Sequence, residues 1–124
     1  MKLLVLEAWC LLIRFEFIMR FREFKELHRM VRGHHARPKR TNPISAENLC
    51  HAMDLACVLY FKSVLCLQRS AATTLLLRRH GWNAELIIGA QILPFKSHAW
   101  CEIEGIVVND KPYIANIYAV LERC

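Results

Sequence analysis

The sequence predicts an α+β fold in one domain, with helices in the first two thirds of the chain and an antiparallel sheet after them. Its 124 residues are 55% hydrophobic and include four glycines and four prolines, which is enough apolar material for one hydrophobic core. The segments before Gly81 have helix-forming composition, whereas short segments with strand character follow it. Helices that precede the strands, instead of alternating with them, are typical of α+β proteins.

The first predicted helix covers residues 2–30. It contains no glycine or proline, it is dominated by leucine, methionine, phenylalanine, arginine and glutamate, and Glu16 and Arg20 have the favourable four-residue spacing. Its first half is apolar on nearly all sides. We therefore expect this helix to pack on its own domain in preference to a partner or a membrane surface.

A basic segment at residues 29–40 contains Gly33 and Pro38 and continues into Thr-Asn-Pro, which predicts a linker. The prediction divides the chain in two. Residues 1–44 form an N-terminal helix and basic linker that can contact a partner, and residues 45–124 form the main domain.

Two further helices are expected before the sheet. Ser45 is the predicted N-cap of the second helix, which has Glu47 in its first turn and runs to about residue 61. Ser63 is the predicted cap of the third helix, which ends at Gly81 and has Cys66 in its first turn. The predicted strands cover the following ranges: 84–89, 97–103, 106–109 and 113–120.

One of the six cysteines is placed for nucleophilic chemistry. A thiol attacks only as thiolate, and the first turn of a helix favours the anion through unpaired N–H groups and the positive end of the helix dipole. Cys66 alone has such a position. The better reading of four others is packing, because three fall within helices and one lies mid-strand: Cys10, Cys50, Cys57 and Cys101.

A cysteine nucleophile also needs a base and a third group that orients the base, and His98 and Asp110 can fill these roles. They flank a predicted hairpin. A two-residue loop at 104–105 would place their side chains on opposite faces of the sheet. A three-residue loop at 103–105, with Gly105 in the left-handed conformation of a bulge, pairs His98 with Asp110 on one face, and we predict this register.

The chain resembles the transglutaminase-like cysteine peptidases that remove the leader peptide during lasso-peptide biosynthesis. The resemblance covers about residues 45–120 and implies a papain-like, transglutaminase-like core. By that resemblance Cys66 is the nucleophile, His98 the general base and Asp110 the orienting residue. The resemblance is carried by these motifs: CLQRS at 66–70, RRHG at 78–81, IG at 88–89, PF and HAW between 94 and 100, and ND at 109–110.

The same resemblance implies the reaction and its partners. The substrate is a ribosomally made precursor, cut between leader and core, and a separate ATP-dependent macrolactam cyclase then closes the ring. Residues 1–44 are too short for a fused leader-recognition domain, so a separate leader-binding protein is expected, in contact with the N-terminal helix or the sheet edge. No cofactor or metal is implied. Glu7 interrupts the apolar start and no cleavage pattern follows, which predicts a cytoplasmic protein without a transmembrane segment.

Three other functions remain open from the sequence. The same triad can transfer an acyl group to an amine, as transglutaminases do. The formal net charge of +6 and the basic segment with His34 and His35 fit a nucleic-acid-binding module, although no readout motif accompanies them. The third alternative is a zinc site, although its candidate ligands lack the close spacing that is usual for structural zinc. These candidates are Cys50, His51, Cys57, Cys66, His98 and Cys101.

The sequence identifies only one of the two donors that an oxyanion hole needs. A backbone N–H near Cys66 supplies one donor, and the second donor is open among three side chains: Gln68, Gln91 and Trp100.

Overall fold

The computed structural model describes residues 2–21, 24–33, 44–92 and 94–124, and it has the predicted α+β order. Four helices precede a four-stranded antiparallel sheet with the strand order β3-β2-β1-β4, and a short helix lies between its last two strands. The helices are α1 (Lys2–Phe21), α2 (Phe24–Gly33), α3 (Ala46–Val58), α4 (Cys66–Arg79) and α5 (Ile114–Ile117). The strands are β1 (Ala84–Gln91), β2 (Lys96–Ile103), β3 (Ile106–Val107) and β4 (Ala119–Arg123).

The N-terminal segment forms two helices that fold back on each other, so the prediction of one continuous helix to about residue 30 is wrong. Glu7 of α1 binds Arg79 at 2.7 Å, and the carbonyl of Val31 of α2 accepts a hydrogen bond from the adjacent Arg78. A straight helix would separate residues 7 and 31 by about 36 Å. Nothing in the local composition signals the reversal, which instead follows from the burial of Leu27 and Val31 in the core.

Helix α1 packs against α3 and α4, which confirms that it packs on its own domain. Four of its residues are buried in the main core: Ala8, Leu11, Leu12 and Phe15. The first part of the predicted linker, residues 29–33, belongs to α2, and residues 34–43 lie outside the described residues.

The predicted start of α3 is confirmed, because the Ser45 hydroxyl accepts a hydrogen bond from the Asn48 N–H at 3.1 Å. The predicted cap of α4 is wrong. Leu65 holds the N-cap position, and it supplies no side-chain hydrogen bond to the first turn. Helix α4 ends as expected: Gly81 has a φ of 90°, and the Trp82 N–H donates to the Leu77 carbonyl at 2.9 Å, which closes the helix end.

The sheet agrees with the prediction at β1 and β2 and differs later. Strand β3 has two residues where four were predicted. The predicted strand at 113–120 is wrong in its first half, since residues 114–117 form α5 and β4 begins at Ala119. The α5 turn buries Ile114 against Ile87 and Trp100, and this packing overrides the strand preference of the local sequence.

Both faces of the two central strands, β1 and β2, are covered. On one face Ala99 and Cys101 of β2 share the main core with the buried residues of α4. On the opposite face Trp100 and Ile87 form a second, smaller cluster with Ile114. Because side chains alternate along a strand, His98 lies in the same row as Trp100 and Glu102.

Candidate active site

The first turn of α4 and the beginning of β2 meet at a small pocket of about 120 Å³. Cys66 is the first residue of α4 and is exposed, and His98 of β2 is half-buried. The structure therefore brings the predicted nucleophile and the predicted base to one cavity. The pocket is lined by Cys66, Leu67, Ile88, Ser97, His98 and Ala99.

His98 and Asp110 are directly paired. The Nε2 atom of His98 lies 2.6 Å from Oδ2 of Asp110, and the Lys111 N–H donates to Oδ1 at 2.7 Å. Burial opposes ionisation of the carboxyl group, yet these two hydrogen bonds outweigh it and hold the pKa of Asp110 below its ordinary value. Asp110 is thus a carboxylate at neutral pH. With Nε2 engaged, Nδ1 is the ring nitrogen of His98 that remains for proton transfer.

The pairing arises from a register that was not predicted. Ile103 pairs with Ile106 and Glu102 with Val107, so the loop has two residues, and the three-residue prediction is wrong. Glu104 and Gly105 both have positive φ, 51° and 80°, as a two-residue type I′ turn requires.

That register would separate His98 from Asp110 only if the strand continued to residue 110. Strand β3 ends at Val107, and the Val108 N–H makes the last main-chain hydrogen bond to β2, with the Cys101 carbonyl at 3.0 Å. Beyond this point the alternation of faces no longer holds. Asp110 can therefore turn toward His98 in spite of the short loop.

Two aromatic rings lie beside the imidazole of His98. The ring of Tyr118 is stacked on it at 5.3 Å between centroids, and that of Trp100 at 6.2 Å. The indole N–H of Trp100 donates to buried Glu102 at 2.8 Å, and Arg123 binds the other carboxylate oxygen at 3.0 Å. Sequence reasoning missed Tyr118, because only the fold of α5 and β4 brings it to the histidine.

Comparison with known proteins identifies the family of this chain. A family model described as the Transglutaminase-like superfamily matches residues 10–123. The chain belongs to this superfamily. This membership confirms the predicted fold class. Over 56 residues the chain is 38% identical to the microcin J25-processing protein McjB of Escherichia coli, which confirms the resemblance noted from the motifs.

The match to McjB is partial. The aligned segment covers 45% of this chain and 27% of the length of McjB. No solved structure matches the chain.

The three side chains considered as oxyanion donors in this transglutaminase-like domain donate to other groups. The amide of Gln68 is buried and donates to the Leu12 carbonyl at 2.9 Å, and that of Gln91 donates to the Pro94 carbonyl at 3.1 Å. Trp100 donates to Glu102, as described above. Leu65 gives the first turn of α4 no side-chain cap, and the backbone N–H groups of that turn lie closest to Cys66 in sequence.

The rival sites gain no support from the part of the chain that the structure describes. There, no group of three or more His, Cys, Asp or Glu side chains is arranged to hold a metal ion. Most of the basic segment, including His34 and His35, lies outside the described residues; Arg29 and Arg32 of α2 bind Glu26 and Glu122. Among the described helices, none has the length and apolar character needed to cross a membrane.

Proposed function

We propose that this chain is a cysteine peptidase that removes the leader peptide from a ribosomally made lasso-peptide precursor. The observation that carries the proposal is the His98–Asp110 pair at 2.6 Å, whose histidine lines the same pocket as Cys66, the first residue of α4. The similarity to a microcin J25-processing protein indicates the class of substrate.

In the proposed reaction Cys66 is the nucleophile, His98 the base and Asp110 the orienting group. The Cys66 sulfur attacks the carbonyl carbon at the leader–core junction while Nδ1 of His98 takes the thiol proton. The same proton passes to the departing amine of the core peptide, which leaves the leader as a thioester on Cys66. Water then adds to the thioester with His98 again as base, and the leader is released with a free carboxylate.

The position of Cys66 serves both steps. The uncapped first turn of α4 presents backbone N–H groups and the positive end of the helix dipole, which stabilise a thiolate and the oxyanion of the tetrahedral intermediate. Asp110 holds the ring of His98 in one tautomer and stabilises the imidazolium that forms.

The proposal includes three partners in the cytoplasm: the precursor leader, a separate leader-recognition protein and the macrolactam cyclase that acts on the released core. We also propose that residues 45–124 carry the peptidase core and that the segment 1–44 carries the contact with the leader-recognition protein. Exposed apolar side chains on α1, among them Leu3 and Leu6, favour that contact.

The decisive experiment is mass spectrometry of a lasso precursor incubated with the chain and a leader-binding protein. We expect the unmodified chain to release an intact leader, and the Cys66→Ala variant to lose at least about 1,000-fold in rate. Cys10→Ala is the matched control, because Cys10 is also exposed but lies in the middle of α1. Equal cleavage by the two variants would disprove the assignment of the nucleophile.

Acyl transfer to an amine is the second candidate function, favoured by membership of the transglutaminase-like superfamily. It uses the same thioester and differs only in the group that resolves it. Addition of a primary alkylamine to the same incubation distinguishes the two. A leader that carries the mass of the amine indicates transfer, and a leader that ends in a free carboxylate indicates hydrolysis.

A further inference from the structure

We infer that Ser70 and Asn109 are positioning residues, which hold the three catalytic elements in register through one buried hydrogen-bonded bridge. The inference rests on the proposed function of Cys66, His98 and Asp110, none of which takes part in the bridge itself.

The bridge joins α4, β2 and the segment after β3. The Ser70 hydroxyl donates to the Ala99 carbonyl at 2.9 Å, and the Asn109 side-chain NH₂ donates to the Ser70 hydroxyl oxygen at 3.1 Å. The Cys101 N–H donates to the Asn109 side-chain oxygen at 2.7 Å. Ser70 is 2% exposed and Asn109 is 8% exposed, so water has little access to these bonds.

Each member of the bridge lies close in sequence to one member of the proposed triad. Ser70 follows Cys66 by four residues, about one helical turn. Ala99 follows His98 directly, and Asn109 directly precedes Asp110. A shift of one element relative to the others would therefore stretch the bridge and move the triad member on that element.

The hydrogen-bond directions leave the bridge one arrangement. The single hydroxyl proton of Ser70 goes to Ala99, so Ser70 can only accept from Asn109. The Asn109 amide must then turn its NH₂ to Ser70 and its oxygen to Cys101, which satisfies both ends. The other amide orientation would leave Cys101 facing an N–H group, which is costly in a buried place.

Asn109 also explains how Asp110 reaches His98. In a continued ladder the Cys101 N–H would bond the main-chain carbonyl of residue 108 on the neighbouring strand. The side chain of Asn109 takes that donor instead and ends the ladder. The main chain is thereby free to bend, and the next residue, Asp110, meets the imidazole at 2.6 Å.

Loss of the bridge should reduce turnover more than substrate binding. A misplacement of the reacting groups by about 1 Å can cost about 100-fold in rate. Neither Ser70 nor Asn109 lines the pocket, so KM has no direct reason to change. We expect kcat to fall about 10- to 100-fold in Ser70→Ala and Asn109→Ala, with KM within about twofold of the unmodified value.

The matched control is Thr73→Val. Thr73 is 1% exposed on the same helix, and its hydroxyl donates only within α4, to the Arg69 carbonyl at 2.7 Å. Ser70→Ala and Thr73→Val each delete one buried hydroxyl, but only the first breaks the bridge. A kcat loss of equal size in both would show that loss of a buried hydroxyl, and not the bridge, reduces activity.

A double-variant cycle tests whether Asn109 acts through Asp110. If it does, the combined Asn109→Ala and Asp110→Asn variant loses little more activity than Asp110→Asn alone. Losses that multiply would overturn the inference. Should Asn109→Ala fail to fold, as judged by circular dichroism, Ser70→Ala against Thr73→Val decides the question.

A second readout needs no peptide substrate. The rate of alkylation of Cys66 by iodoacetamide, divided by that of exposed Cys10 in the same molecule, reports the assistance of His98 to the thiol. We expect this ratio to fall several-fold in Ser70→Ala and Asn109→Ala and to stay constant in Thr73→Val. Full cleavage activity in Cys66→Ala refutes the proposed function; a constant ratio and kcat in the bridge variants refute only the positioning role.

Discussion

Gly89→Ala is expected to destabilise the protein through a clash with the indole of Trp100. Gly89 lies on β1 directly opposite His98 in the sheet. A Cβ atom at this position would lie 2.8 and 2.9 Å from two ring carbons of Trp100 and 3.0 Å from the main-chain oxygen of Ala119. Because carbon atoms normally approach to about 3.5–4.0 Å, the indole would have to move by roughly 1 Å.

Neither Trp100 nor Ala119 can move away easily. Trp100 is fully buried, and its N–H is held by Glu102 at 2.8 Å. The Ala119 oxygen belongs to the main chain of β4, which is paired with β1 through Gly89 and Ala90. Overpacking of this kind costs about 1–3 kcal/mol. If the Trp100–Glu102 hydrogen bond also breaks, the loss rises by about 1 kcal/mol.

Urea unfolding followed by tryptophan fluorescence measures this change. With a slope of about 2 kcal/mol per molar urea, a loss of about 2–4 kcal/mol should lower the unfolding midpoint by about 1–2 M. Gly33→Ala is the control, since a Cβ there meets no atom of the described residues within 4 Å. Helix propensity predicts that Gly33→Ala leaves stability unchanged or raises it by up to about 1 kcal/mol.

Equal midpoints for Gly89→Ala and Gly33→Ala would refute the argument that the close approach of Trp100 requires glycine. A normal midpoint with lost peptidase activity would instead place the effect of Gly89 in the histidine environment alone.

Three further predictions concern the helices and the buried thiols. Burial opposes ionisation of Glu7, but its bonds from Arg79 and the adjacent histidine lower its pKa below the ordinary 4.5. The stability that Glu7 contributes is therefore present above about pH 4.5 and is lost on acidification. Glu7→Gln should remove about 1 kcal/mol at pH 7, and its urea midpoint should fall less steeply than that of the unmodified chain as the pH is lowered. Arg78→Met should cost at least about 3 kcal/mol, because the guanidinium donates to three main-chain oxygen atoms, and a midpoint like that of the unmodified chain would contradict this. Burial raises the pKa of Cys101 to about 12 and that of Cys50 to about 11, so neither should react with iodoacetamide at pH 8 until urea unfolds the chain; modification of the native protein at either one, detected by peptide mapping, would contradict the packing.

Local signals in the sequence were sufficient for much of the helical and strand structure. Ser45 begins α3 and Gly81 ends α4, because a capping side chain and a residue with positive φ act on the backbone next to them. Strands β1 and β2 were predicted from their residue types, and the position of Cys66 in the first turn of α4 followed from the helix alone.

Where long-range packing competes with local preference, the sequence was a poor guide. Helix α2 turns back so that Leu27 and Val31 enter the core, and α5 replaces the start of a predicted strand so that Ile114 can cover Trp100. The gain in both places comes from burial against residues far away in the chain. Such contacts leave no trace in the composition of a short window.

In the candidate site, local signals and long-range packing both decide the arrangement. Residue types, helix position and the family resemblance pointed to Cys66, His98 and Asp110. The predicted hairpin register was wrong, yet His98 and Asp110 still pair. Strand alternation is a local rule that holds only while the ladder continues. Here the ladder ends because the side chain of Asn109 bonds β2 and a serine 39 residues earlier in the chain. Only the folded chain brings that serine within reach, and therefore only the tertiary structure decides where Asp110 points.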